Sequence, residues 1–170
     1  EVLRLSVKAM SALQFFDAMQ VGIAVPELAC AERIKAQGFK VVFSGQGSDE
    51  IFCGYSSYAK ALAEGGFGKV EDALWLSLER MWARNFYRDD AMAAVESLEL
   101  RLPFMAQNFL KLAMAIPANE KILSEDDALR KWPVRALAKQ YGLPDSIALA
   151  PKKALQYGSG VQKIVSRLLK

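Results

Sequence analysis

One short run constrains the fold of this chain more than any other. Phe39-Lys40-Val41-Val42-Phe43 is apolar and β-branched, with Gly38 before it and Gly45 just after it, which predicts a buried strand of a parallel sheet. Ser44, Gly45, Gln46, Gly47, Ser48, Asp49 and Glu50 come next, and Ile51, Phe52 and Tyr55 then recur at helix-like spacing. The order is strand, glycine loop, helix. No other run in the chain reads as clearly as a strand, and a strand needs neighbours to pair with. The expected fold class is therefore α/β and helix-rich, a single domain over 1–170 whose missing strands lie upstream of Glu1.

The rest of the pattern is helical. Leu3, Leu5, Val7, Met10, Leu13 and Phe16 stand partly at three-residue spacing and predict an amphipathic helix, followed by a connection over 17–25. Pro26 suits a first turn, Gly38 a C-terminal stop, and Glu27 and Lys35 match the helix dipole, so a helix is expected over 26–37. Further helices are expected near 70–86, 88–98, 106–115, 125–140 and 160–169, with breaks at Gly65-Gly66, Pro103, Pro117 and Gly142-Leu143-Pro144. Ser124 with Asp127 forms a capping-box pattern, and Pro133 either kinks that helix or starts a second one.

Composition removes several classes of function. With 52% apolar residues in 170, the chain can bury a core without disulfides, and Cys30 and Cys53 read as two small buried side chains. Its 22 basic and 19 acidic residues leave a net charge of +3, too little for a nucleic-acid partner. There is no apolar run long enough for a membrane span and no signal-peptide order at the N-terminus, so no membrane partner and a cytoplasmic location are expected. Histidine is absent, which excludes Ser-His, Cys-His and His-ligated metal mechanisms within these residues. Chemistry run by charge stabilisation, such as nucleotidyl or phosphoryl transfer, is favoured instead.

The glycine loop is where that chemistry can sit, because ligands of open α/β sheets bind beyond the carboxyl ends of the strands. Gly45 and Gly47 permit close backbone approach or positive φ, Ser48 can cap the helix, and Asp49 and Glu50 add carboxylates. Carboxylates beside a phosphate repel it unless Mg²⁺ lies between them, so a metal-bridged polyphosphate is the natural ligand. A tight turn before a well-capped helix accounts for the same residues equally well. The loop has neither the Walker A spacing nor Gly-x-Gly-x-x-Gly.

The wording of the loop goes further. Ser44-Gly45-Gln46-Gly47-Ser48-Asp49-Glu50-Ile51-Phe52-Cys53-Gly54-Tyr55 closely resembles the Ser-Gly-Glu-Gly-(Ala/Ser)-Asp-Glu-(Leu/Ile)-Phe-Gly-Gly-Tyr segment of the asparagine synthetase family. Ser97-Leu98-Glu99-Leu100-Arg101-Leu102-Pro103-Phe104, with Asp90 and Met92 upstream, resembles its Ser-Leu-Glu-x-Arg-Val-Pro-Phe. Pro151-Lys152-Lys153-Ala154-Leu155-Gln156-Tyr157-Gly158 resembles its lysine loop near the C-terminus. The three matches stand in the family's order over roughly residues 20–165.

The resemblance implies the later part of an adenine-nucleotide alpha-hydrolase-like (ATP-pyrophosphatase) synthetase domain, with ATP and Mg²⁺. Such a domain adenylates a small carboxylate substrate, aspartate first, releases pyrophosphate, and lets ammonia from a glutaminase domain or subunit displace AMP. A homodimer is compatible with this. By the same resemblance Ser44, Gly45, Gly47 and Ser48 would line the nucleotide and pyrophosphate site and Asp49 would face pyrophosphate through the metal. Lys152 or Lys153 would stabilise departing phosphates, and Gln46 would stand at the reacting centre. Glu50 supports the loop. Glu99 and Arg101 sit two apart before Pro103, which favours an extended stretch with both on one face; an internal pair holding the loop is the first reading and direct substrate contact the second.

Four features depart from the family pattern. No Ser-Gly-Gly-x-Asp-Ser loop occurs, so the chain reads as a fragment without its main ATP loop. Gln46 replaces a common glutamate, Ala106 stands where aspartate is expected, and one extra residue separates Lys153 from Gln156. Two classes stay open: an amide ligase acting on aspartate or on another carboxylate, as in a β-lactam-forming synthetase, and a non-catalytic scaffold or regulatory protein derived from the family.

Overall fold

A computed structural model of the chain describes residues 1–168. In chain order the elements are helices α1 (Val2–Leu13) and α2 (Ala18–Ala36), strand β1 (Val41–Phe43), the one-turn α3 (Ser48–Ile51), α4 (Ser56–Met81), a π-helical turn (Trp82–Phe86), α5 (Tyr87–Ala94) and strand β2 (Glu99–Arg101). A 3₁₀ turn (Pro103–Met105), α6 (Gln107–Ala115), α7 (Ala118–Lys121), α8 (Trp132–Gln140), α9 (Asp145–Ala148), α10 (Leu155–Gly158) and α11 (Val161–Leu168) complete it. The helix expected over 160–169 is thus present to Leu168, and its last residue lies outside the described residues. Among the described residues no helix is long and apolar enough to cross a membrane. The described residues pack as two compact units, 1–44 with 82–101 and 153–168, and 45–81 with 102–152.

In the first unit Leu5, Ala9 and Leu13 of α1 close on Val21, Ala24, Val25 and Leu28 of α2, joined by Met92 of α5 and Val165 of α11. That stripe keeps the four-residue period of a helix face, whereas Leu3 and Val7 point to solvent. The connection expected over 17–25 is instead the first half of α2. Asp17 caps it by accepting the Gln20 N–H at 2.7 Å, and Pro26 lies buried inside it. Burial of the α2 face offsets the backbone bond that proline removes. Buried Arg88 donates to Glu27 (3.2 Å), Asp89 (2.5 Å), Gln20 (2.9 Å) and the Arg84 carbonyl (3.0 Å). Burial pushes the Glu27 and Asp89 carboxyls upward, and Arg88 only partly offsets this.

The strand expectation is corrected in two ways. A second strand exists: β1 and β2 pair in parallel, with Val41 opposite Glu99, Val42 opposite Leu100 and Phe43 opposite Arg101. The expected helix over 88–98 therefore stops at Ala94, and Ser97 turns at φ 56° to start the strand. Nor is β1 buried throughout. Val42 and Leu100 pack on Ala31, Ala93 and Leu98, while Phe43 is exposed, and Phe39 and Lys40, expected in the strand, precede it, with Phe39 exposed too. Cys30 is exposed as well, against expectation; its place near the outer face of α2 decides this rather than its size.

In the second unit Cys53, Tyr58, Ala61, Val70, Leu74, Ala118 and Ile122 form one cluster, and Ile51, Phe52 and Ala113 another, with Phe104, Leu110 and Val134 against it. Helix α4 bends at Gly65-Gly66, the expected break. The helix expected over 125–140 is only α8, beginning at Trp132 with Pro133 in its first turn. Residues 122–131 form a loop because Asp127 uses its carboxylate on loop donors: the N–H groups of Leu123 (3.0 Å), Leu129 (3.0 Å) and Arg130 (2.9 Å) and the Trp132 indole (2.7 Å). Buried Arg135 seals the other side through the carbonyls of Leu129, Arg130, Ala148 and Ala150.

Candidate active site

The second unit carries the glycine loop, and its shape follows from two glycines. Gly47 takes φ 94° as the residue before α3, and a side chain there would also meet Met105, whose Cγ is 3.0 Å from the position of a Cβ and whose sulfur is nearer still. Only glycine fits both demands. The turn closes with Ser48 N–H to the Gly45 carbonyl at 3.3 Å and Ile51 N–H to the Gly47 carbonyl at 3.1 Å. Gly45 is exposed, with open space around it.

Gly54 is the second. Its N–H donates to the Asp49 carbonyl at 2.8 Å and its own carbonyl accepts from Arg130 Nε at 3.2 Å. Its bare Cα lies under two charged groups: a Cβ there would be 2.5 Å from Lys131 Cε and 2.6 Å from Asp49 Cγ, and closer to Asp49 Oδ1. The absence of a side chain at 54 is what lets the lysine and the aspartate meet.

They meet in a three-residue charge cluster. Lys131 Nζ is 2.6 Å from Asp49 Oδ1 and donates to Ser48 Oγ at 3.0 Å; Lys152 Nζ is 3.3 Å from Asp49 Oδ2. Lys152 also stands 4.5 Å above the Tyr55 ring, whose hydroxyl donates to Glu50 at 2.5 Å. Cation–π contact of this kind fixes an ammonium without consuming its charge. Glu50 is buried, and its carbonyl accepts from Tyr58, so it acts as a support for α3. Asp49 answers two ammonium groups, so the three residues Asp49, Lys131 and Lys152 carry an excess positive charge and are only partly exposed, with the Glu50 carboxylate held beside them on Tyr55. The three can attract an anion.

Of the expected site residues this unit brings together Ser48, Asp49, Glu50 and Lys152. Gly45, Gln46 and Gly47 precede them on the same loop, with Gln46 half-buried. Ser44, Glu99, Arg101 and Lys153 belong to the first unit. There Ser44 N–H donates to the Arg101 carbonyl at 3.0 Å, and Arg101 and Glu99 do pair, at 2.7 Å. The pair is more than half exposed rather than internal. Lys153 is exposed. The Cys53 thiol is pushed up to about 12 by burial, with Lys121 opposing this in part; it stays a thiol and is no nucleophile.

Lys131 and Gly54 are the residues that sequence reasoning missed. Lys131 stands at the site because Arg130 and Lys131 both adopt left-handed backbone, at φ 52° and 56°, a conformation that costs a side-chain-bearing residue about 1–2 kcal/mol. The Asp127 and Arg135 bonds described above hold it there. Nothing in Leu129-Arg130-Lys131-Trp132 announces such a turn, whereas Gly54 stands within the run from Ser44 to Tyr55, where a glycine is a visible signal of close approach.

Among the described residues no three Cys, Asp or Glu side chains converge as a metal cage. Among the described residues Asp49 is the carboxylate that pairs with both lysines, and both its oxygens already face ammonium groups. This donor set fits a Mg²⁺ that arrives with phosphate oxygens as its other ligands and does not fit an ion held by protein alone.

Comparison with known proteins adds a lineage to this geometry. The chain matches the family model described as asparagine synthase over residues 6–69 and 64–170. It is 30% identical, over 96% of its own length and 35% of the relative's, to a Methanocaldococcus jannaschii protein provisionally named a glutamine-hydrolyzing asparagine synthetase. It is 32% identical to the glutamine-hydrolyzing asparagine synthetase 1 of Saccharomyces cerevisiae over 88% of the chain and 27% of that protein. To the asparagine synthetase domain-containing protein 1 of Mus musculus it is 33% identical over 74% of the chain and 20% of that protein. The chain thus spans about a third or less of the length of these relatives, and with a family model covering nearly all of it, it belongs to the asparagine synthase family.

Proposed function

We propose that the protein carrying this chain is an ATP-dependent, AMP-forming amide ligase of the cytoplasm that activates the side-chain carboxylate of aspartate and gives it ammonia. The reading includes the ATP-pyrophosphatase type of fold, which the parallel pairing of β1 with β2 supports. The observation that carries it is Asp49 between Lys131 and Lys152 beside the glycine loop.

In this reading the carboxylate oxygen of the substrate attacks the α-phosphorus of ATP, the α–β bridging bond breaks, and pyrophosphate leaves. Ammonia then adds to the acyl carbon, AMP departs with the bonding electrons, and the nitrogen loses a proton. Asp49 would hold with its one carboxylate a Mg²⁺ that arrives with the phosphates, and that ion would supply neutralisation of part of their charge. Lys152, fixed over Tyr55, meets charge developing on the leaving pyrophosphate, where a preplaced ammonium is most effective. Gln46 can orient ammonia or the acyl carbonyl through its amide and cannot take a proton.

The test is product analysis with the natural full-length protein given aspartate, ATP, Mg²⁺ and an ammonium salt. Asparagine, AMP and pyrophosphate in equal amounts are expected; ADP and phosphate, or no turnover, would contradict the proposal. Gln46 in place of the family's common glutamate supports a second reading, a non-catalytic member of the family, for which no turnover is the expected result.

A further inference from the structure

We propose that Met105 is a site of reversible oxidation: a peroxide that converts its thioether to the sulfoxide unlocks the glycine loop and loosens the charge cluster beyond it. The inference concerns the shape of the loop, goes beyond the proposed reaction and does not depend on it.

Three observations carry it. The first is contact. The Met105 side chain lies against the bare Cα of Gly47: a Cβ at 47 would be 3.0 Å from Met105 Cγ, nearer still to its sulfur, and 3.7 Å from Met81 Cε. Two methionine side chains thus back Gly47 where it takes φ 94°. The second is access. Met105 is half-buried whereas Met81 is sealed in the core, so a small oxidant in solvent reaches Met105 first. The third is that the loop depends on such backing. Helix α3 is a single turn, closed by Ser48 N–H on the Gly45 carbonyl at 3.3 Å and Ile51 N–H on the Gly47 carbonyl at 3.1 Å, and a helix of one turn takes its stability from packing rather than from itself. Met105 is anchored in turn, since its 3₁₀ turn starts at Pro103 and its own N–H donates to the Leu102 carbonyl at 2.9 Å.

In the oxidation a sulfur lone pair takes one oxygen from the peroxide and the O–O bond breaks. Sulfur loses two electrons, and the other oxygen leaves as water or an alcohol with the peroxide's proton. A flexible apolar side chain becomes a polar, chiral one. The Gly47 side has no room even for a methyl group, hence none for the new oxygen, and burying that oxygen without a donor is unfavourable. The side chain must therefore withdraw from Gly47. Ser48 and Asp49, which hold Lys131 and Lys152, follow at once in α3, so the cluster loosens with the loop. Methionine sulfoxide reductases, drawing electrons from a thiol, return the thioether.

Amide hydrogen exchange of the natural full-length protein before and after brief treatment with hydrogen peroxide tests the assignment, together with the mass of the tryptic peptide 102–111, whose single methionine is Met105. Neither readout requires turnover. Exposed Met19 is the reference for ordinary reactivity. Met105 should gain one oxygen alongside Met19, and the amides of Ser48 and Ile51 should then exchange about tenfold to a hundredfold faster, the factor expected from one unpaired polar group. Reductase treatment should restore slow exchange. Met105→Leu keeps the apolar volume without an oxidisable sulfur, and in it peroxide should leave both amides unchanged; Met105→Ile is the second sulfur-free variant, with the same result expected, should the first fail to fold. Met19→Leu should keep the acceleration. Met105 unoxidised where Met19 is fully oxidised, or oxidised Met105 with unchanged exchange at Ser48 and Ile51, would overturn the proposal. So would the same acceleration in a sulfur-free variant, or acceleration that the reductases do not reverse.

Discussion

Replacing Gly54 by alanine is the sharpest perturbation of the charge cluster, because it adds one methyl group and removes no charge. That methyl would stand 2.5 Å from Lys131 Cε and 2.6 Å from Asp49 Cγ, where carbon atoms normally keep about 3.5 Å or more. Each neighbour must retreat by roughly 1 Å, which parts Lys131 Nζ from Asp49 Oδ1, now at 2.6 Å. The backbone of Gly54 cannot yield easily, being tied to the Asp49 carbonyl and to Arg130. Overpacking of this kind costs about 1–3 kcal/mol, and the stiffer unfolded chain of alanine returns about 0.4–1 kcal/mol. A net loss of about 1–2 kcal/mol is expected in urea unfolding followed by tryptophan fluorescence. Gly68→Ala is the control: it lies in α4 with nothing near its Cα and should gain roughly 0.5–1 kcal/mol from helix propensity. A Gly54→Ala protein as stable as wild type, or gaining like Gly68→Ala, would refute the reasoning.

Three further outcomes are expected. Lys152→Ala in the natural full-length protein should lower the amide-forming rate by about 10²–10³, and Lys153→Ala should cost little; equal minor losses would return both to solvent. Gln46→Glu should change that rate modestly and Gln46→Ala sharply if orientation is what position 46 supplies, whereas a large gain for Gln46→Glu, with a new pH dependence in the carboxylate range, would show that a base is needed. Because burial raises the Glu27 carboxyl, the folded chain keeps a proton that the unfolded chain releases above about pH 4, so the stabilising contribution is complete below that pH and is lost as pH rises towards the raised value. Glu27→Gln should flatten this decline in urea unfolding measured across pH, leaving Asp89 as the carboxylate paired with Arg88; an unchanged slope would contradict it.

The parts legible in the sequence were those written in contiguous residues. The strand at 41–43, the loop after it and the helices at 2–13 and 107–115 follow from apolar period and glycine placement, and Asp49 and Lys152 stood in motifs. What escaped was set by distant partners. Pro26 read as a helix start, and it lies inside α2 because the buried face on both sides of it packs against α1. Asp127 read as part of a capping box, yet its carboxylate shapes a loop through four donors and so removes the first turns of the helix expected from 125. Strand β2 reads from the sequence as an extended Glu-Arg stretch and the three residues before it as helix; the turn at Ser97 separates the two. Lys131 owes its place to consecutive left-handed residues and to the missing side chain at 54, neither of which leaves a periodic trace.

The most direct measurement of the central claim is exchange of labelled pyrophosphate into ATP by the natural full-length protein, with and without aspartate. An adenylating ligase whose pyrophosphate is handled at Asp49 predicts exchange that depends on aspartate and falls by at least about 10²-fold in Asp49→Ala, while AMP still binds. No exchange by the wild type with aspartate present, or aspartate-dependent exchange that survives Asp49→Ala undiminished, would contradict the account.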